Sequence, residues 1–335
     1  MLPRWFSEGI SVYEEWNTGP LTSRELPMQV LDMFEQGRFL PVAELDAGFV
    51  RPSYEGQVTV SYMQAGLVCD FIAERWGHQA LVTMLRAFSV GTRTAEALEI
   101  AIKTDAEEFD RLFADHVRQR YANILDGRTH WQQLGQILQS SLSRAERNLA
   151  EGGSPLSAEN LEALRQVAVQ RRDYYPAHVG AESAWLSLAE ISRQLGDNKG
   201  ALDSRWRWYQ RGGALPAELQ SLAEDLEADG REDDAVAVLE SLNWVMPYTV
   251  AEHERLGNYY LSKGKPAKAI REFNALLGVR PTAASVVLLG KARAFHQQNN
   301  VAQARKNVLL ALEQSPFYRD AQHLLLELNA LKPGE

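Results

Sequence analysis

Residues 5 to 16, Trp5-Phe6-Ser7-Glu8-Gly9-Ile10-Ser11-Val12-Tyr13-Glu14-Glu15-Trp16, are where side-chain types and spacing come closest to chemistry. On a helix turning about 100° per residue, Trp5, Val12 and Trp16 share one narrow stripe. Glu8 falls beside that stripe rather than opposite it. A carboxylate on a buried edge is costly unless it is paired, hydrogen-bonded or bound to a metal. Gly9 removes bulk next to it and lets something approach closely. Two readings stay open: Glu8 pairs with an Arg or Lys, or Glu8 ligates a metal. Spacing alone favours the ion pair, because a lone Glu is a weak metal signal.

The other reactive side chains have structural readings. The histidines are His78, His116, His130, His178, His253, His296 and His323, and no two are four residues apart. His78 follows Gly77 at a helix junction and reads as a turn or cap residue. His116 reads as solvated on a charged face. His253 and His296 fall in helices where packing or groove lining suffices. Cys69, among Leu67, Val68 and Phe71, reads as a small buried hydrophobe, since no basic residue flanks it. Arg205-Trp206-Arg207-Trp208-Tyr209 either stacks on a ligand or packs its aromatics in a helix. No glycine-rich phosphate loop and no Ser–His–Asp order stands out.

The elements that position these residues read as helical throughout. Gln57–Trp76 forms a helix stopped by Gly77. Thr104-Asp105-Ala106-Glu107 has the capping-box pattern and opens a helix carrying Phe109, Leu112, Phe113, Val117 and Tyr121. Asn17–Tyr54 holds the prolines of a long surface excursion. Asp126-Gly127-Arg128-Thr129 is a turn signal and a domain boundary. Gln132–Leu149 and Ser157–Arg172 are two helices separated by Glu151–Pro155. No alternating run is long enough for a sheet.

Four residue tracks then share one period. Gly196, Gly230 and Gly264 are 34 and 34 apart. Ala201, Ala235, Ala269 and Ala304 follow at 34, 34 and 35, and Pro247, Pro281 and Pro316 at 34 and 35. Small residues recur at Ala189, Ala223, Gly257 and Ala292. A small residue in a first helix and an alanine in a second let two backbones approach. The glycine turns the chain between them, and the proline ends the second helix. Arg205, Trp208 and the displaced Pro216 make the first repeat less regular. Asp320–Leu331 reads as a terminal helix covering the last repeat.

Composition bounds the function. The chain has 335 residues, 45% hydrophobic and 24% charged, with one cysteine, so no internal disulfide and no CxxC knuckle form. The net charge of −9 disfavours general nucleic-acid or anionic-membrane binding. No apolar run reaches the ~18 residues of a membrane span, and MLPRWFSEG lacks the apolar stretch of a signal peptide. Leu2 already adjoins the dense Trp5 segment, so the chain is expected to be the C-terminal part of a longer protein.

Two resemblances sharpen these expectations. The repeat spacing resembles the tetratricopeptide repeat, most clearly at Leu256-Gly257, Tyr260, Gly264, Ala269, Phe273 and Pro281. Separately, LPRWFSEGISVYEEW resembles the second zinc-binding helix of gluzincin metallopeptidases, with Trp5, Glu8, Gly9, Tyr13 and Glu15 matching. Ser61–Ala65 and Phe71–Gly77 resemble the same family's following helix, so the likeness spans residues 1–122. It implies that Glu8 is the third zinc ligand and Tyr62 a catalytic tyrosine near the oxyanion, with Tyr54 and Tyr13 as other candidates. It also implies a bacterial, exported protein, periplasmic or cell-surface. The chain has no HExxH, so it is expected to bind no zinc and hydrolyse no peptide alone, zinc belonging to the intact protein.

The expected fold is therefore all-α: a helical C-terminal subdomain of a gluzincin-like peptidase (1–125), a helical connector or degenerate repeat (126–182), and a tetratricopeptide-type solenoid (183–331). The leading function is a fragment of a zinc metallopeptidase carrying an interaction module. The alternative is a non-catalytic scaffold or adaptor with a degenerate peptidase-like domain. Aligning the alanines places Glu190, Arg193, Glu224, Glu227, Glu254, Asn258, Arg293 and His296 on the concave repeat face. That face is acidic in its middle and lacks a Lys- and Asn-rich carboxylate clamp, so a basic or neutral peptide is the expected partner. The other reading of the array is a brace for the neighbouring domain.

Overall fold

The computed structural model describes residues 2–19, 21, 23–279 and 281–330, and every regular element among them is helical. The chain divides into two compact units, Met1–Gly213 and Ala214–Glu335.

The first unit begins with α1 (Arg4–Asn17), α2 (Met28–Glu35), a 3-10 turn (Val42–Glu44), α3 (Ala47–Val50) and α4 (Gln57–Trp76). It continues with α5 (His78–Ser89), α6 (Thr94–Ile102), α7 (Ala106–Arg120), α8 (Ala122–Ala150) and α9 (Ala158–Tyr174), and ends with α10 (Ala184–Gln194) and α11 (Asn198–Gln210). The expected Trp5, Val12 and Trp16 stripe is buried, together with Phe6. It crosses α4 through a reciprocal notch. A Cβ on Gly9 would lie 2.7 Å from the Ala65 carbonyl oxygen, and one on Gly66 would meet Val12 Cγ1 at 2.4 Å. α4 ends as expected, with Gly77 at φ 85°. α7 is capped one residue later than the sequence pattern suggests: Asp105 Oδ1, not Thr104, accepts the Glu108 N–H at 2.9 Å.

Two expectations fail here. Residues 17–54 are not a surface excursion. Leu26, Val30, Leu31, Val42 and Leu45 are all within 1% of full burial, so irregular spacing hid a packed segment. This segment is clasped from the far end of the unit. Tyr175 Oη donates to Leu26 O and accepts from Leu26 N, while His178 Nδ1 and Val179 N meet the Glu25 carboxylate at 2.7 and 2.9 Å. Nor is Asp126–Thr129 a turn, since α8 runs straight through it. Gly127 and Gly135 are packing notches: Cβ atoms there would strike the Tyr174 ring and the Arg171 guanidinium of α9. The α10–α11 hairpin packs on α9. Its irregular Trp208 is fully buried, and the indole N–H donates to Val179 O at 2.8 Å.

The second unit contains α12 (Pro216–Ala228), α13 (Glu232–Val245), α14 (Val250–Ser262), α15 (Pro266–Gly278), α16 (Ala284–Gln297), α17 (Val301–Gln314) and α18 (Arg319–Ala330). These form tetratricopeptide-like hairpins, α12 with α13, α14 with α15 and α16 with α17, and α18 packs on the last. The turn glycines Gly230 and Gly264 sit at φ 77° and 63°. Asn299, at φ 59°, takes the corresponding place in the last hairpin. Its short amide side chain makes it one of the few residues that tolerates the left-handed region. Ala235, Ala269 and Ala304 are buried where the paired helices touch. α18 closes the last hairpin through Ala321, Leu324 and Leu328; the expected end at Leu331 lies outside the described residues.

Candidate functional site

The repeat places the second unit's site. α14 and α16 open successive hairpins and α18 follows in the next such place, so residues at matching register face the same side. Together they line a groove of about 650 Å³. Asn258, Leu261 and Ser262 come from α14, Arg293, His296 and Gln297 from α16, and Asp320, His323, Leu324 and Glu327 from α18. Arg293 Nη2 binds Asp320 Oδ2 at 3.3 Å, and Gln297 Nε2 donates to Leu261 O at 3.0 Å. Both partners of the Arg293–Asp320 pair are about half exposed. Such a pair contributes about 0–1 kcal/mol, so an incoming ligand can open it at small cost. His296 is half-buried, and its Nδ1 is shut off from solvent with no hydrogen-bond partner among the described residues. Asp320 offsets Arg293, which leaves Glu327 to give the groove a negative balance.

Of the residues expected on the concave face, Asn258, Arg293 and His296 come together in this groove. Glu254 lies one turn earlier on α14, exposed. Glu224 is exposed on α12, and Glu227 Oε1 on the same helix binds Arg255 Nη2 at 2.6 Å. Glu190 and Arg193 sit on α10 in the first unit, where Arg193 Nη2 binds Glu190 at 2.8 Å. Sequence reasoning missed Asp320, His323 and Glu327 by treating the last helix as a cover only. Continuing the period past Pro316 carries Asn258 and Arg293 on to Glu327. His253 is no groove residue: it is buried, with Nδ1 2.7 Å from Glu272 Oε2 and Nε2 3.1 Å from Pro247 O. It ties α14 to α15 and to the turn before α14.

The residues singled out near the N-terminus are not brought into one site. Glu8 is half-buried, and its Oε1 lies 3.5 Å from Arg4 Nε one turn earlier. What approaches Gly9 is the backbone of α4. Tyr62 is half-buried, edge-on to Phe49 with ring centres 5.1 Å apart. Among the described residues, no three His, Cys, Asp or Glu side chains are grouped to hold a metal ion. Cys69 is buried against Gly9, and burial followed by the nearby Asp70 carboxylate pushes its thiol pKa far up, the condition of an inert thiol. His116 is half-buried rather than solvated. Its ring centre lies 4.8 Å from that of Phe71, and burial lowers its pKa. No helix among the described residues is long and apolar enough to cross a membrane.

No protein-family model and no curated protein matches the chain. Among solved structures, it is similar to the MamA protein, at 16% identity over 60% of this chain and all of that one, with a TM-score of 0.36. It is also similar to TTC0263, a thermophilic TPR protein of Thermus thermophilus, at 20% identity over 58% of this chain and all of that one, with a TM-score of 0.30. The repeat is carried by the hairpins themselves, α12 with α13, α14 with α15 and α16 with α17.

Proposed function

We propose that the protein is a non-catalytic interaction scaffold whose second unit receives an extended, basic peptide segment of a partner. The observation that carries this reading is the groove built from α14, α16 and α18 at one repeating register, with Asn258, Arg293 and His296 already facing it. Asn258 and Gln297 supply amide groups that can hydrogen-bond a peptide backbone. Leu261 and Leu324 supply apolar floor. Glu327 in the groove and Glu254 one turn along α14 supply charge that a lysine or arginine would neutralise. The zinc-peptidase reading has no comparable groove or ligand cluster behind it among the described residues.

Fluorescence anisotropy with short lysine-rich, uncharged and glutamate-rich peptides tests the proposal. The lysine-rich peptide binds tightest and weakens with added salt. An Asn258→Ala/His296→Ala variant loses about tenfold in affinity, or 1.4 kcal/mol. A preference for the glutamate-rich peptide, or binding that ignores these substitutions, overturns it.

A further inference from the structure

The first unit holds a group of arginines that the groove does not use. Trp185 on α10 is buried, and its indole N–H donates to Pro176 O at 2.9 Å. Two guanidinium groups lie against that one ring. Arg211, just past α11, sets its Cζ 4.4 Å from the ring centre, and Arg172 on α9 sets its own at 5.3 Å. Arg211 Nη1 also donates to the Arg207 carbonyl at 2.9 Å. Two of these three arginines are neutralised: Arg172 Nη2 binds Asp173 Oδ1 at 2.6 Å, and Arg207 Nε binds Asp203 Oδ2 at 2.9 Å. Arg211 has no carboxylate partner among the described residues.

That arrangement sets Arg211 apart. Arg120, Arg171 and Arg271 are also partly buried, and each faces a carboxylate: Asp70, Glu182 and Glu272. Arg211 shares its ring with Arg172 and bonds the Arg207 backbone, and both of those arginines are already paired with their own aspartates. Burial lowers its pKa, and the charges of Arg207 and Arg172 push the same way with nothing opposing. A guanidinium does not give up its proton in a protein, so this opposition is an unspent attraction for an anion. The contact with the indole face and the hydrogen bond to Arg207 O hold the group in place, and a guanidinium fork matches an oxyanion with two parallel N–H bonds. The net charge of −9 acts at long range and is screened beyond about 8 Å, and Asp173 and Asp203 balance Arg172 and Arg207, so the uncompensated charge beside the ring is Arg211's own.

We infer that Arg211, held against Trp185 with Arg172 and Arg207 beside it, is a binding site for an oxyanion, the phosphate or carboxylate group of a ligand. The site lies in the first unit and is independent of the peptide groove.

Thermal unfolding of the full chain, followed by tryptophan fluorescence in chloride, inorganic phosphate or acetate at equal ionic strength, tests this. Phosphate stabilises folded proteins generally by exclusion from their surface, so the informative quantity is the difference between wild type and Arg211→Met. Phosphate raises the wild-type midpoint by about 2–4 °C more than it raises that of the variant. Arg207→Gln leaves the Trp185 stack in place and reduces the excess. Arg211→Lys, which keeps the charge and loses the fork, recovers part of it. An excess in acetate too assigns the site to carboxylates as well, and one in phosphate alone assigns it to phosphoryl groups. Equal shifts in wild type, Arg211→Met and Arg207→Gln with both anions overturn the inference.

Discussion

Gly9→Ala is the sharpest test of how the first unit is held together. A Cβ there would sit 2.7 Å from the Ala65 carbonyl oxygen, 2.9 Å from its carbon and 3.0 Å from Cys69 Sγ. The first two are backbone atoms of a long helix and cannot swing aside, so α1 and α4 must separate by about half an ångström. Separation also loosens the second half of the notch, where Gly66 receives Val12 and Trp16. Overpacking of this kind costs about 1–3 kcal/mol, and contact with backbone places it in the upper part, about 2–3 kcal/mol. Replacing glycine inside a helix returns about 1 kcal/mol. The net loss is about 1–2 kcal/mol. Urea unfolding followed by tryptophan emission reads it in the right place, because every tryptophan except Trp244 lies in the first unit. The midpoint falls while the slope stays constant. Gly278→Ala, in the second unit and read by circular dichroism, is the control: nothing lies within 4 Å of its Cβ position, so that change is neutral or stabilising by up to about 1 kcal/mol. If Gly9→Ala unfolds at or above the wild-type midpoint, α1 and α4 are not in backbone contact and the space beside Glu8 is open after all.

Two further outcomes follow from local geometry. Burial pushes the Glu25 carboxyl pKa up, but hydrogen bonds from His178, Val179 and Gly180 outweigh it and hold the value below the ordinary range. A depressed folded value contributes stability above the unfolded value of about 4.3 and loses it as pH falls through the folded one. Glu25→Gln therefore lowers the urea midpoint at neutral pH and flattens its decline in acid; an unchanged acid profile refutes the clasp. Asn299→Gly relieves the left-handed backbone and leaves the second unit as stable or slightly more so, whereas Asn299→Ala costs about 1 kcal/mol. Circular dichroism melts of the full chain check the order, which reverses if Asn299 is not the turn residue.

The repeats were legible because their determinants are local. A glycine at positive φ, an alanine under a crossing helix and a proline after it recur at one spacing, and each acts within its own hairpin. The same spacing led to Asn258, Arg293 and His296. The turn expected at Gly127 was wrong for a related reason. A glycine that turns a chain and a glycine that admits another helix look alike in sequence, and Tyr174, far along the chain, is what separates them. Leu26 and Leu45 were missed because the contacts around them, Tyr175 at Leu26 and α6 and α7 at the 3-10 turn before Leu45, come from distant sequence and not from a periodic face.

Helix content, the period of the second unit and the register of its inner face were decided by the sequence alone, since 3.6- and 34-residue spacings act through near neighbours. Tertiary structure alone decided what Gly9 is for, that Gly127 admits the Tyr174 ring, and that Arg211 is left without a carboxylate among the described residues. Each of these depends on which distant groups share a few ångströms. Dispersion, hydrogen bonding and desolvation act over that short range, and spacing along the chain does not encode it.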